Sequence, residues 1–382
     1  MKHSLNPVVE RDLLDRGFSR RSFGRIAAVL TAGASLPFYN EGALAQLSSR
    51  RELLPADAVK IDANENPLGP CQEALEAIYS VSKRGGRYLY EETDLFAQTV
   101  AEVEGVPRDH VTPFAGSSDP LHRAVLAFSS PSRGVVVGDP GYEAPFRAAE
   151  FMGARVSRVP LTKDYAHDVK AMVTADPTAG LLYICSPNNP TGTLTSRANI
   201  EYALAHKPQG AIILLDEAYI HLCDAAPSTD LAAAGKDIII LRTFSKIYGM
   251  AGLRAGFAMG RPDLLSKLRH YGAGALPVTA MVAANTSLKV KNLVPERKKI
   301  IRSIREDVFS FLDRRKFSFV PSVSNKFMLD TKRPAGEFIQ AMAAHKIFVG
   351  RQWPIWPTHS RITIGTREEM EKFKTALLKV MA

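Results

Sequence analysis

The chain has few cysteines and no long apolar run, and these absences exclude several classes of protein. Its three cysteines, Cys71, Cys185 and Cys223, do not make a disulfide framework, and no cysteine or histidine cluster has zinc-site spacing. No apolar stretch reaches the roughly 18 to 20 residues that a membrane-spanning helix needs. Low-complexity tracts and fixed-period repeats are also missing. The sequence therefore predicts a globular protein with no metal site and no stable membrane insertion.

Basic residues exceed acidic ones, but they are not concentrated. The 382 residues include 49 Lys and Arg against 39 Asp and Glu, which gives a formal net charge of +10. Apart from the short cluster Arg297–Lys299, the basic residues are scattered. A nucleic-acid-binding protein would concentrate them on one face with interleaved aromatic residues. We therefore interpret the excess as a solvated surface plus a site for anionic ligands, and expect no nucleic-acid partner.

The first 45 residues have the order of features typical of an export signal. Arg20 and Arg21 precede a short apolar stretch at Ile26–Leu36, and Ala43–Ala45 is a small-residue cleavage site. Paired arginines before a weakly apolar stretch resemble a twin-arginine signal, which predicts periplasmic export of a folded protein. The alternative is an amphipathic N-terminal helix that stays on a cytoplasmic protein.

The rest of the chain alternates helical patterns with short apolar runs, which predicts an α/β fold. The runs are Gly134–Gly138, Gly180–Cys185, Ala211–Leu215 and Asp237–Leu241. Such β-rich runs are typical of buried parallel strands, whose carboxyl ends collect ligands. We expect an N-terminal arm at 46–90, a large domain at 91–285 and a smaller α+β domain at 286–382. The last of these should contain helices at 296–313, 335–345 and 367–381 and strands at Phe317–Val320, Lys326–Asp330, Ile347–Gly350 and Arg361–Gly365.

A candidate catalytic lysine follows the last of the four runs. Lys246 has Ser245 before it and Arg254 eight residues after it. A lysine that forms a Schiff base must be held rigidly and partly desolvated, and a hydroxyl and a guanidinium suit one phosphate. The alternative is an ordinary helix N-terminus with a solvated lysine.

Two other runs end in candidate ligand-binding residues. Asp216 follows Ala211–Leu215 and could keep a pyridinium nitrogen protonated, and Tyr219, three residues later, could reach the oxygen on such a ring. Asp216 could instead cap a helix. After Gly180–Cys185, two prolines and a glycine form a rigid turn that could aim Asn189 at a ligand.

Weaker signals lie earlier in the chain. Ser117 and Ser118 precede a predicted helix whose N-terminal N–H groups could bind phosphate, although the same residues also make an ordinary helix cap. Tyr142 follows the run Gly134–Gly138 and could stack on a flat ring, or could simply belong to a turn.

In combination these motifs resemble the fold-type I pyridoxal-phosphate (PLP) enzymes, and more closely the histidinol-phosphate aminotransferases among the class I and II aminotransferases. The resemblance covers roughly residues 60–382. It rests on Asn64–Pro70, Arg87–Tyr88, Gly116–Asp119, Pro140–Tyr142, Asn188–Gly192, Asp216–Tyr219, Thr243–Arg254 and Arg361–Thr366.

The resemblance implies a mostly parallel seven-stranded sheet between helices, a smaller α+β domain and a homodimer. It implies that Lys246 holds PLP as a Schiff base and moves the α-proton while an amino group passes from an L-amino acid to a 2-oxo acid such as 2-oxoglutarate. The remaining implied roles are Asp216 at the ring nitrogen, Asn189 and Tyr219 at the ring oxygen, Tyr142 stacked on the ring, Ser117, Ser118, Ser245 and Arg254 at the phosphate, Tyr88 at the phosphate of the other subunit, and Arg361 at the substrate carboxylate.

One substrate-binding position departs from the family pattern. Arg351 corresponds to the family's arginine for the phosphate of histidinol phosphate, but Trp353, Trp356 and His359 follow it. These neighbours indicate an aromatic or cation-bearing substrate side chain, or a loop that packs on the domain. An exported enzyme is also a poor fit to a cytoplasmic biosynthetic substrate. A PLP-dependent cyclase, lyase or oxidase of a cationic amino acid, and a non-catalytic ligand-binding protein of the same fold, are the alternatives.

Overall fold

The computed structural model describes residues 11, 14–19, 54–271 and 276–382. Arg20, Arg21 and the predicted cleavage site Ala43–Ala45 lie outside the described residues. The strands, in chain order, are β1 (Val59–Ile61), β2 (Val111–Phe114), β3 (Val135–Asp139), β4 (Val156–Pro160), β5 (Leu181–Cys185), β6 (Ile212–Asp216), β7 (Ile238–Thr243), β8 (Gly256–Met259), β9 (Phe319–Val320), β10 (Lys326–Asp330), β11 (Ile347–Val349) and β12 (His359–Thr363).

From residue 54 onward, the helices that the structure describes lie between or after these strands in the chain. None of them is both long enough and apolar enough to cross a membrane. In chain order they are α1 (Gln72–Ser82), α2 (Tyr90–Glu104), α3 (Ser118–Phe128), α4 (Ala144–Met152), α5 (Val169–Thr174), α6 (Arg197–His206), α7 (Thr229–Ala233), α8 (Pro262–Arg269), α9 (Val278–Lys289), α10 (Leu293–Arg314), α11 (Ala335–Ala344) and α12 (Arg367–Val380), with short 3₁₀ turns at Arg108–His110 and Ile220–Leu222.

A seven-stranded sheet forms the centre of the molecule, in the order β2-β8-β7-β6-β5-β3-β4. The four apolar runs of the sequence form β3, β5, β6 and β7, which pair in parallel. Every residue of β5, β6 and β7 is buried, as expected for strands covered by helices on both faces. Only β8 runs against its neighbours β7 and β2. The prediction of a mostly parallel α/β sheet is confirmed.

The C-terminal part is built on a small antiparallel sheet, ordered β12-β10-β9. Its strand β10 has the predicted bounds, but β9 is shorter than Phe317–Val320, and β12 begins at His359 rather than at Arg361. The long helix begins at Leu293, three residues before its predicted start. Near the N-terminus, β1 pairs in parallel with β11, so the residues just after β1 lie beside the C-terminal part.

The described N-terminal residues pack against the central part of the molecule. Phe18 is only 2% exposed and belongs to the main hydrophobic core. The Arg16 guanidinium donates to the carbonyls of Leu126 at 2.8 Å and Ser129 at 3.1 Å. These carbonyls are at the C-terminal end of α3, where a positive charge is stabilised by the helix dipole.

Candidate active site

Polar side chains from several strands meet at the carboxyl end of the central sheet. The register pairs Cys185 at the end of β5 with Asp216 at the end of β6, and Asp216 with Leu241 on β7. The segments that follow these strands surround a cleft of about 260 Å³. Nine residues singled out from the sequence line it, namely Ser117, Ser118, Tyr142, Asn189, Asp216, Tyr219, Ser245, Lys246 and Arg254.

Lys246 presents a buried amine to this cleft. The residue is only 7% exposed, and its Nζ donates to the backbone oxygen of Asn64 at 2.9 Å. The turn after it is held by Asn66, whose side-chain amide donates to the carbonyl of Ile247 at 3.0 Å. A desolvated amine in a fixed position is what condensation with a carbonyl compound requires.

Asp216 presents a buried carboxyl group on the neighbouring strand. Its Oδ2 accepts a hydrogen bond from the Tyr183 hydroxyl at 2.8 Å, and its Oδ1 accepts one from the Ala218 N–H at 3.1 Å. Burial raises the pKa of the carboxyl group, while these hydrogen bonds and the charges of Lys246 and Lys326 lower it. A desolvated carboxylate of this kind would be stabilised by a positively charged ring nitrogen.

Asn64 connects several residues of the cleft, and sequence reasoning did not assign it a role. Its side-chain amide donates to the Tyr219 hydroxyl at 3.1 Å and to Asn189 Oδ1 at 3.4 Å. Its backbone N–H donates to the Thr363 hydroxyl at 3.0 Å, which in turn donates to Asn64 Oδ1 at 3.2 Å. With a positive φ of 53°, Asn64 adopts a backbone conformation that Asn tolerates better than most residues. The only sequence signal was its place in the Asn64–Pro70 run.

The other end of the cleft suits an anion. Ser117 precedes α3 and its side chain makes no capping hydrogen bond, while Arg254 Nη1 lies 3.3 Å from the Ser245 hydroxyl. Burial lowers the pKa of the Arg254 guanidinium, because a desolvated positive charge is disfavoured. Gly116 has a φ of +84°, and a Cβ there would lie 2.5 Å from Arg254 Nη2. The hydroxyls, the N-terminal N–H groups of α3 and the guanidinium form a phosphate-binding arrangement.

Arg361 is completely buried beside the cleft residue Asn189. Its Nη1 donates to Asn189 Oδ1 at 2.9 Å and its Nη2 donates to the backbone oxygen of Asp62 at 2.5 Å. The guanidinium carbon lies 5.4 Å from the centre of the Trp353 ring. Because Asn189 lines the cleft and is bonded to Arg361, the guanidinium is close to where a substrate carboxylate would bind.

Arg351 lies at a second cavity, lined also by Glu143 and Trp353. Its guanidinium makes a two-point ion pair with Glu143, at 2.9 Å and 2.7 Å. Trp353 is 1% exposed, and its indole N–H donates to the Gly141 carbonyl at 2.9 Å. The first tryptophan of the unusual loop therefore packs into the protein, next to both arginines. Sequence reasoning did not identify Glu143.

Tyr88 is not among the residues that line the cleft of its own chain. It is 70% exposed, and its ring stacks on Tyr90 with 5.6 Å between ring centres. Its role at another subunit therefore stays a prediction. Within residues 54–271 and 276–382 and the short N-terminal stretch, no group of His, Cys, Asp and Glu side chains could hold a metal ion.

The donor set of the cleft fits pyridoxal 5'-phosphate. Arg254 and the serines would hold the phosphate, Asp216 the ring nitrogen, and Tyr219 with Asn189 the ring oxygen. The buried Lys246 amine would bind the aldehyde.

Comparison with known proteins places this site in a family. Residues 56–377 match the family model described as aminotransferase class I and II. The chain is 32% identical over 343 residues to a histidinol-phosphate aminotransferase of Moorella thermoacetica, covering 87% of this chain and 88% of the relative. It is also 32% identical over 348 residues to an aromatic amino acid aminotransferase of Cutibacterium acnes, covering 90% and 95%.

Solved structures agree with the sequence relatives. The histidinol-phosphate aminotransferase of Sinorhizobium meliloti, solved with pyridoxal-5'-phosphate, superimposes with a TM-score of 0.79 and 26% identity over 92% of this chain and 96% of that one. The fold of a Thermus thermophilus aspartate aminotransferase is also similar, with a TM-score of 0.75 over 95% of this chain and 99% of that one. With a family match over most of its length and a cleft built for this cofactor, the chain belongs to the class I and II aminotransferases and has their fold-type I architecture.

Proposed function

We propose that this aminotransferase uses pyridoxal 5'-phosphate to move the amino group of an aromatic L-amino acid to a 2-oxo acid such as 2-oxoglutarate. The observation that carries amino-group transfer is the buried amine of Lys246 in one cleft with the buried carboxyl group of Asp216. The bound cofactor supplies an aldehyde that condenses with amines and a ring that accepts electrons.

The residues of the chain have separable tasks in this reaction. Lys246 holds the cofactor and carries a proton to and from the substrate α-carbon. Asp216 keeps the ring nitrogen protonated, and Tyr183 orients Asp216 by its hydrogen bond of 2.8 Å. Arg361, fixed by Asn189 and by the carbonyl of Asp62, binds the substrate carboxylate.

The ion pairing of Arg351 supports an amino donor with an aromatic side chain over one that carries a phosphate. The two-point pair with Glu143 compensates its charge, so a donor phosphate would have to displace that carboxylate or lie beside it. The buried ring of Trp353, 4.9 Å from the Arg351 guanidinium carbon, further stabilises that charge within the protein. The relatives include enzymes named for histidinol phosphate and one named for aromatic amino acids, so both donors belong in the test.

A comparison of donors tests this specificity. With 2-oxoglutarate as acceptor, we expect kcat/KM for phenylalanine and tyrosine to exceed that for histidinol phosphate. Glu143→Gln should raise the relative kcat/KM for histidinol phosphate by about tenfold, because Arg351 loses its charged partner. Glu143→Asp, which keeps the charge, is the matched control. A preference of the unaltered enzyme for histidinol phosphate would contradict the proposal.

We also propose that the enzyme is a homodimer. Six exposed apolar side chains fall within one stretch of the chain, and two of them, Leu75 and Tyr79, are one turn apart on α1. Clustered exposed apolar residues are typical of protein interfaces. The six are Leu68, Leu75, Tyr79, Tyr88, Tyr90 and Leu95.

We further propose periplasmic localisation by a twin-arginine-type signal. The support is the order of charged, apolar and small residues in the first 45 positions. N-terminal sequencing of the protein from fractionated cells tests it: we expect a periplasmic species that starts after Ala45. A cytoplasmic protein with Met1 intact would contradict it.

A further inference from the structure

A second buried lysine lies against Tyr219, a residue that lines the cleft. Lys326, the first residue of β10, is 0% exposed. Its Nζ donates to the Ser324 hydroxyl at 3.0 Å and lies 3.1 Å from the centre of the Tyr219 ring. Burial of an ammonium group is costly unless nearby groups compensate its charge. The face of an aromatic ring provides such compensation.

The small antiparallel sheet directs Lys326 at the catalytic residues. Lys326 pairs with Thr363 on β12, and Met328 pairs with Arg361, so these four side chains share one face of the sheet. Thr363 is bonded to Asn64, which donates to the Tyr219 hydroxyl. This face of the sheet therefore contacts Tyr219 in two ways. Thr363 is linked to the Tyr219 hydroxyl through Asn64, and Lys326 lies against the Tyr219 ring.

The positions of two ammonium groups are defined relative to the same ring. Lys246 Nζ lies 5.5 Å from the centre of the Tyr219 ring, and Lys326 Nζ lies 3.1 Å from it. The two Nζ atoms are therefore separated by no more than the sum of these two distances. Lys246 lines the cleft, whereas Lys326 is not among the cleft-lining residues of the described chain. Tyr219 lines the cleft and is the residue through which Lys326 reaches it.

We propose that Lys326 is a positioning residue that acts through Tyr219: its charge makes the phenol a stronger hydrogen-bond donor to the cofactor and lowers the proton affinity of the cofactor bound at Lys246. This inference rests on the proposed binding of pyridoxal 5'-phosphate in the cleft. A positive charge near a phenol makes the phenol more acidic, and a second positive charge near a protonated group favours loss of its proton.

Other ionisable and charged groups face the same region from each neighbouring element. Asp216 is the negative charge that opposes Lys326, and it interacts with both lysines. The remaining groups are Tyr183 and Cys185 of β5, Tyr142 after β3, Glu65 after β1, Arg361 of β12 and Arg254 after Lys246. Because these groups are unchanged by a substitution at Lys326, a shift caused by that substitution reports the charge of Lys326.

The test is a pH titration of the visible absorption of the holoenzyme. Lys326→Met removes the charge and keeps the length of the side chain. We expect the pH at which the cofactor band changes to rise by about one unit, with little change in the KM for the amino donor. Lys326→Arg keeps the charge, so the pH at which the band changes should move much less. If Lys326→Met leaves the titration unchanged, or if its main effect is a higher KM, the inference is wrong.

A double-mutant cycle tests the route through Tyr219. In a Tyr219→Phe background, Lys326→Met should shift the titration by less than it does in the unaltered enzyme. An equal shift in both backgrounds would contradict the role of the phenol. If Lys326→Met does not fold, Lys326→Gln is the replacement variant.

Failure of this inference is distinguishable from failure of the proposed function. A holoenzyme with its cofactor on Lys246 and an unshifted titration in Lys326→Met would overturn the inference alone. Absence of any cofactor band in the unaltered protein supplied with pyridoxal 5'-phosphate would overturn both.

Discussion

At the scale of single residues, the site depends on contacts between residues far apart in the chain. Asp216 and Tyr183 are 33 positions apart, yet they are 2.8 Å apart in the fold. They meet because β5 and β6 pair in parallel, with Cys185 beside Asp216 and Tyr183 two residues before it on the same face. Burial raises the pKa of the Tyr183 hydroxyl, so it stays protonated and donates to the carboxylate.

Tyr183→Phe should therefore make Asp216 harder to ionise, while the cofactor still binds in the cleft. Loss of the hydrogen bond raises the Asp216 pKa further, since this bond lowers it in the unaltered enzyme. The ionised form is needed, so the acid limb of the kcat–pH profile should move to higher pH by about one unit. At neutral pH, we expect kcat to fall by up to about tenfold.

Leu182→Val offers a matched control on the same strand, because Leu182 is equally buried but makes no contact with Asp216 through a polar atom. In Leu182→Val, the acid limb of the kcat–pH profile should lie at the same pH as in the unaltered enzyme. An acid limb that is the same in Tyr183→Phe and in the unaltered enzyme would show that Tyr183 does not tune Asp216.

Residue-scale prediction from sequence found cleft residues where they closely follow a strand. Asp216 comes directly after its apolar run and Lys246 comes five residues after its own, and both line the cleft. Asn64, Glu143 and Lys326 were missed because their partners come from distant segments: Asn64 bonds Tyr219, and Glu143 bonds Arg351, 208 positions away. No local pattern encodes such pairs, because they depend on how the elements pack.

At the scale of elements, the buried parallel strands of the central sheet were predicted, whereas β2, β4 and β8 of the same sheet were missed. The apolar runs became β3, β5, β6 and β7 because each is covered on both faces. The edge strand β4 was missed, since only Val159 of its five residues is buried and it therefore lacks a continuous apolar run. The bounds of β9 and β12 differ from prediction because pairing with β10 sets them.

The C-terminal end of α3 provides a test at this scale. Arg16 donates to its last carbonyls, so Arg16→Ala should lower the free energy of unfolding by about 1–2 kcal/mol, as loss of a charged hydrogen-bonding group does. Urea unfolding of the uncleaved chain measures this, because the periplasmic species proposed above starts after Ala45 and lacks Arg16. Arg11→Ala is the control, since Arg11 is exposed and should change little. Equal stability of the two variants would show that the N-terminal contact contributes nothing.

At the scale of the whole molecule, the proposed dimer predicts complementation between two damaged subunits. Lys246→Ala lacks the amine, and Tyr88→Phe lacks the hydroxyl that would serve the partner's phosphate. A hybrid dimer contains one site with both residues intact, so mixing the two variants under subunit exchange should restore activity above that of either alone. No gain on mixing, or full activity in a monomeric species, would contradict a shared site.

The most direct test of the account is to find which amine holds the cofactor. Borohydride reduction of the holoenzyme fixes the cofactor on that amine, and peptide mass spectrometry then locates it. Lys246, which lines the cleft, should carry the label, and Lys246→Ala should lose both the label and the activity. A label on Lys326, the buried lysine against the Tyr219 ring, or on any other residue would contradict the central claim.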